Sequence, residues 1–176
     1  MKKYFKPIMV TLAIILVCGG LLAILSDVLK VSSEERIQRA INKIYTEESV
    51  SLSDDVDVYS VDMSEFDDVG KVKACYKLDN GDYLVLATGK KGYSNGTVTL
   101  YVAINGEGVV KNVVEDSYTG QTLMSKLGGL YERFVGKDYS ENQDGVKEVV
   151  NGATGSSTAA SNAVYVALQF AKKLGK

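Results

Sequence analysis

Residues 148–158 read Glu-Val-Val-Asn-Gly-Ala-Thr-Gly-Ser-Ser-Thr and open onto a helical apolar pattern, Ala159 to Leu174, in which Ala160, Val164, Ala167, Leu168, Ala171 and Leu174 share one face. Small residues, the hydroxyls of Thr154, Ser156, Ser157 and Thr158 and unpaired backbone N–H groups therefore meet at the positive end of a helix. In outline this is a phosphate-sized anion site. Thr154 and the N–H groups of the turn from Gly155 to Thr158 are the candidate phosphate contacts. Ordinary loops and helix caps use the same residue types, so composition leaves both readings open. The segment is not a P-loop, because no lysine follows its second glycine.

The rest of the chain narrows the chemistry. Among 176 residues there is no histidine and there are 2 cysteines, Cys18 and Cys75. Ser-His-Asp and Cys-His nucleophile pairs, histidine-ligated metal sites and imidazole proton shuttles are excluded. A formal charge of −2 provides no basic surplus for a nucleic-acid backbone. The acidic pairs Asp54-Asp55 and Asp67-Asp68 lack the spacing of a calcium loop and read as solvated loops. No metal site is expected. The cysteines lie far apart, one within an apolar run and one in a strand-like stretch, which argues against an intrachain disulfide.

Ile8 to Leu25 carries no charge over 18 positions. That is close to the ~20 apolar residues a helix needs to cross a bilayer, so one N-terminal transmembrane helix is expected. Lys2, Lys3 and Lys6 precede it, and the positive-inside bias puts the N-terminus in the cytoplasm and the bulk of the chain outside. A cleaved signal peptide would have a shorter apolar stretch and a small-residue cleavage site. The expected organisation is an anchor over residues 1–30 and an extracytoplasmic domain over residues 31–176.

In the outer domain, Ser32 with Glu35 forms a capping-box pattern, and Ile37, Ala40, Ile41, Ile44 and Tyr45 predict an amphipathic helix from about Ser33 to Glu47. Val72, Ala74, Tyr76 and Leu78 then alternate with Lys71, Lys73, Cys75 and Lys77. Asn80-Gly81 turns this strand into the run from Tyr83 to Ala87. A second hairpin joins Thr97 to Ile104 with Val109 to Val114 through Asn105-Gly106, and Asp57 to Val61 is a candidate fifth strand. Leu123, Leu127, Leu130 and Phe134 return to helical spacing, with Gly128-Gly129 as a weak point. The fold class is thus α+β: an antiparallel meander sheet with packed helices, preceded by a transmembrane helix.

Glu148 to Ser157 also resembles the flavinylation motif of the FMN-binding domain in the G subunit of the Rnf ion-translocating electron-transport complex, related to the C subunit of the sodium-pumping NADH:quinone reductase. The family pattern is an acidic residue, two residues usually apolar, Ser or Thr, then Gly-Ala-Thr, any residue and two hydroxyl residues. Here it reads Glu148, Val149-Val150, Asn151, Gly152-Ala153-Thr154, Gly155, Ser156-Ser157. Asn151 replaces the hydroxyl residue, and residues 115–120, Glu-Asp-Ser-Tyr-Thr-Gly, stand where the family has Glu-Thr-Pro-Gly.

The resemblance covers the anchor and roughly Lys71 to Leu174. It implies covalent FMN, linked by a flavin transferase through a phosphoester to Ser156, with Thr154, Gly155, Ser157 and Thr158 around the phosphate. Ser157 and Thr158 are the rival attachment points. Tyr118, Tyr131 and Leu123 are candidates to flank the flavin ring, although each also reads as an ordinary core or surface residue. The implied function is a single-pass subunit in a bacterial cell membrane, relaying electrons among other subunits of an Rnf-type complex. The alternatives are a free-standing flavinylated carrier, or an anchored binding or sensory domain whose Ser/Thr loop is only a helix cap. Because the chain has no histidine to activate a serine, the resemblance further implies that the protein offers Ser156 on an exposed loop to an external enzyme.

Overall fold

Five strands form one antiparallel sheet in which each strand pairs with its neighbours in sequence. They are β1 (Leu52–Val56), β2 (Gly70–Leu78), β3 (Tyr83–Gly89), β4 (Thr97–Ile104) and β5 (Val110–Thr119). The helices are α1 (Ser33–Ile44), a single turn α2 (Gln143–Val146) and the long α3 (Thr154–Leu174). This is the α+β meander that the period changes predicted.

The computed structural model describes residues 9, 11, 12, 14–20 and 32–175. Two units divide the chain, Met1–Ile37 and Gln38–Lys176. In the first, the described residues from 9 to 20 are helical and exposed. Among the described residues no helix is long and apolar enough to cross a membrane. Of the expected span from Ile8 to Leu25, residues 8, 10, 13 and 21–25 lie outside the described residues. α1 starts as its cap predicts, with Ser32 Oγ accepting the Glu35 N–H at 3.1 Å.

In the second unit, α3 crosses β2, β3 and β4. Cys75, Val85, Ala87, Leu100, Val102 and Ile104 meet Ala160, Ala163, Val164 and Ala167 in one buried core. The helix backbone sits directly on Gly89, where any β-carbon would collide with the Ala159 carbonyl and the Ala163 amide. Only glycine permits that approach. α3 is buried on more than its sheet-facing side: Phe66 meets Tyr165 edge to face at 5.8 Å, and Lys173 donates to the Asp62 carbonyl at 2.7 Å. Two covered sides explain why its outward stripe is so narrow.

Four expectations need correction. The first strand is Leu52–Val56 rather than Asp57 to Val61. Asp57 instead accepts the Tyr59 N–H at 2.9 Å and caps a 3₁₀ turn, Val58–Ser60. The apolar spacing from Leu123 to Phe134 does not make a helix. Gly129 takes φ of 75° and splits the segment into two 3₁₀ turns, Met124–Leu127 and Tyr131–Phe134, which still bury Leu127, Leu130 and Phe134.

Cys75 was expected to share the lysine side of its strand, yet it is buried in the core. The register shifts between Val72 and Ala74, and a bulge there re-aims the residues that follow. Finally, α3 begins at Thr154 rather than Ala159. The residues expected to form a loop are therefore its first turn.

Candidate functional site

Ala153 is the N-cap of α3, and the first bond of the helix runs from the Ser157 N–H to the Ala153 carbonyl at 2.9 Å. The N–H groups of Thr154, Gly155 and Ser156 precede that ladder, at the end of the helix that favours negative charge. Thr154 is exposed, and Gly155 and Thr158 are half-buried. Lys126 adds a cation: a β-carbon on Gly152 would lie 3.6 Å from its Nζ, so the ammonium reaches over the loop that leads into the helix.

Ser156 does not lie on an exposed loop; it is 2% exposed. Its hydroxyl donates to Gln121 Oε1 at 2.7 Å, and the same oxygen accepts the Tyr93 N–H at 3.2 Å. Gly155 permits this enclosure, since a β-carbon there would come within 2.7 Å of Tyr93 N. The expectation of an exposed acceptor is corrected for that reason: small residues let the first turn press into the Tyr93 turn.

Ser157 is also buried, and its bonds are structural. Its oxygen accepts the Val150 N–H at 3.2 Å, while its proton is shared between the carbonyls of Ala153 at 3.1 Å and Thr154 at 3.0 Å. One turn on, Ser161 accepts the Glu148 N–H at 2.9 Å. These two hydroxyls lay residues 148–150 along the helix. Glu148 itself pairs with Lys137 at 3.2 Å and with Arg133 at 3.9 Å. The acidic residue of the motif thus fastens the loop through Lys137 and Arg133.

Of the three residues considered for a ring wall, Tyr118 and Leu123 are exposed. Tyr131 is partly buried against the core, and its hydroxyl donates to Glu115 at 2.8 Å. Burial first, and this bond second, push its phenol well above the ordinary value. Reading the sequence missed Gln121, Tyr93 and Lys126. Gln121 carries no local signal, since its partner is 35 positions away. Tyr93, 58% exposed beside the helix start, lies in the glycine-rich loop between β3 and β4, which was the one available hint.

No family model, curated protein or solved structure matches this chain. The chemistry of the site has to come from the groups just described. They offer three N–H groups, a nearby ammonium and one enclosed hydroxyl, a set that could hold a phosphate-sized anion. Among the described residues, no group of His, Cys, Asp and Glu side chains could hold a metal ion.

Proposed function

We propose that this protein is a membrane-anchored electron carrier in which Ser156 bears FMN through a phosphoester, acting as a subunit of an Rnf-type complex. One observation carries the reading: the serine at the motif's acceptor position is the third residue of α3. A phosphate on that oxygen would lie beside the N–H groups of the first turn and within reach of Lys126, where charge and hydrogen bonding both favour it.

The chain cannot make the bond by itself. Gln121, the side chain bonded to the Ser156 hydroxyl among the described residues, is an amide and no base, and histidine is absent. An external transferase supplies the base and a flavin nucleotide activated as a phosphoanhydride. The Ser156 Oγ–P bond forms, the P–O bond to the departing half breaks, and the hydroxyl proton passes to the transferase. Bound flavin supplies the redox chemistry, while the protein holds it, charges its surroundings and shields it from water.

The uncharged segment from Ile8 to Leu25 and the lysines before it support a single-pass location in a bacterial cell membrane, with the sheet domain outside. Donor and acceptor are then neighbouring subunits. The isolated chain should turn over NADH poorly, since it has neither a dinucleotide-binding glycine loop nor a cysteine cluster for iron and sulfur.

A second reading has its own support. The Ser156 hydroxyl already has a partner, as a purely structural serine would, and the domain would then be an anchored binding module without flavin. Co-expression with a flavin transferase separates the two. The carrier should fluoresce under ultraviolet light after denaturing electrophoresis and gain the mass of FMN less one water. A colourless chain of unchanged mass would leave the binding module.

A further inference from the structure

Three segments distant in sequence close over Ser156, and one carboxamide joins them. Gln121 Oε1 accepts from Ser156 at 2.7 Å and from Tyr93 N at 3.2 Å, while Nε2 donates to the Thr119 carbonyl at 3.3 Å. Gly92 and Gly96 leave the space that this amide fills, for a β-carbon on either would run into Gln121 Nε2. Within the turn, Lys91, Ser94 and Asn95 hold φ of 64°, 50° and 58°. Residues other than glycine keep such angles only where surrounding contacts hold them. The base of this turn is anchored, Lys90 to Val69 and Asn162 and Lys91 to Asp68, while its strained tip over Ser156 is tied through Tyr93 to Gln121.

We propose that Gln121 is a latch governing access to Ser156: its carboxamide holds the tip of the turn, residues 92–96, shut over the hydroxyl, and this tip must swing clear before any group reaches Oγ. The functional importance of the latch rests on the reading of Ser156 as an acceptor. Esterification removes the proton that Gln121 accepts, so the latch acts on the unmodified chain. Turning the carboxamide over would then offer Nε2 to the new phosphate, so one side chain serves both states.

The test uses the full-length protein with Cys18→Ser, in which Cys75 is the remaining, buried thiol. Ser156→Cys places a thiol at the latch, Thr154→Cys places one on the exposed side of the same turn, and both are timed against a maleimide. The Ser156→Cys thiol should react roughly tenfold more slowly or less. Adding Gln121→Ala should accelerate it about tenfold, the weight of one ordinary hydrogen bond. Gly92→Ala, whose new methyl would meet Gln121 Nε2 before any other atom, should abolish the protection. Melting curves identify any variant that has lost its fold, and Gly92→Ala and Gln121→Ala each suffice without the other.

Equal rates for the Ser156→Cys and Thr154→Cys thiols, or a rate indifferent to Gln121, would overturn the latch. In parallel, the unsubstituted chain is co-expressed with a flavin transferase and weighed. Absence of the adduct together with a protected thiol would remove the acceptor reading and leave the latch standing.

Discussion

The Tyr45 hydroxyl donates to the Asp82 carboxylate at 2.6 Å, joining the residue after α1 to the β2–β3 turn. Asp82 also accepts from Asn80 Nδ2 at 3.0 Å and pairs with Lys111 at 3.3 Å. The carboxylate is buried, so removing it leaves the buried Tyr45 phenol without its acceptor, while the exposed Lys111 ammonium turns to water. Asp82→Ala should cost about 1–3 kcal/mol in urea unfolding. Tyr45→Phe leaves Asp82 its other two partners and should cost about 0.5–1.5 kcal/mol. An Asp82→Ala variant as stable as the parent would show the cluster to be ornamental.

Ser156→Ala should abolish the FMN mass adduct and leave the fold intact. Gln121 Oε1 keeps the Tyr93 N–H, so no buried acceptor is orphaned, and the loss should stay near 0.5–1.5 kcal/mol. Ser156→Thr retains a hydroxyl and should retain the adduct. An adduct mapped to Ser157 or Thr158, or one that persists in Ser156→Ala, would defeat the assignment.

Burial pushes the Cys75 thiol from 9.0 to about 12. The neutral form is the one the core accepts, so its contribution to stability is complete below pH 9.0 and is lost as pH rises toward about 12. Native protein at neutral pH should therefore leave Cys75 unmodified by a disulfide reagent and yield it only in denaturant. Prompt labelling of Cys75 in the folded chain would contradict the core placement.

Gly89→Ala should cost about 3 kcal/mol or more, because the new methyl meets helix backbone that cannot rotate away. Calorimetry would record this as a lowered melting temperature. A change of under roughly 0.5 kcal/mol, the usual scale for a surface substitution, would mean that α3 is not seated as described.

The proposed orientation predicts that Glu107→Cys, in the exposed β4–β5 turn, reacts with a membrane-impermeant thiol reagent on intact cells. Labelling confined to lysed cells would reverse the topology.

Much of the sheet was legible because its signals are local. Asn80-Gly81 made its turn, with Gly81 at φ of 87°, and Asn105 closed the other by accepting the N–H groups of Glu107 and Val109. Leu52–Val56 reads Leu-Ser-Asp-Asp-Val and is almost entirely exposed, so no apolar alternation announced it. The bulge that turned Cys75 inward depends on pairing with β3, which no window along β2 contains. At the candidate site, the motif and the helix behind it could be read. The enclosure of Ser156 could not, because it is made by Gln121 and Tyr93, whose proximity to the serine exists only once β3, β4 and β5 are assembled.

Every strand precedes α3 in the chain, yet the inner face of the sheet is closed by α3. A ribosome must therefore deliver all five strands before their cover exists. Until residues 154–174 emerge, Val85, Leu100 and Val102 face water or a chaperone, and under the proposed topology this uncovered state is the one in which the chain would be exported. Locking of the fold and completion of the Ser156 turn then coincide, which would place the proposed flavin transfer after synthesis and folding.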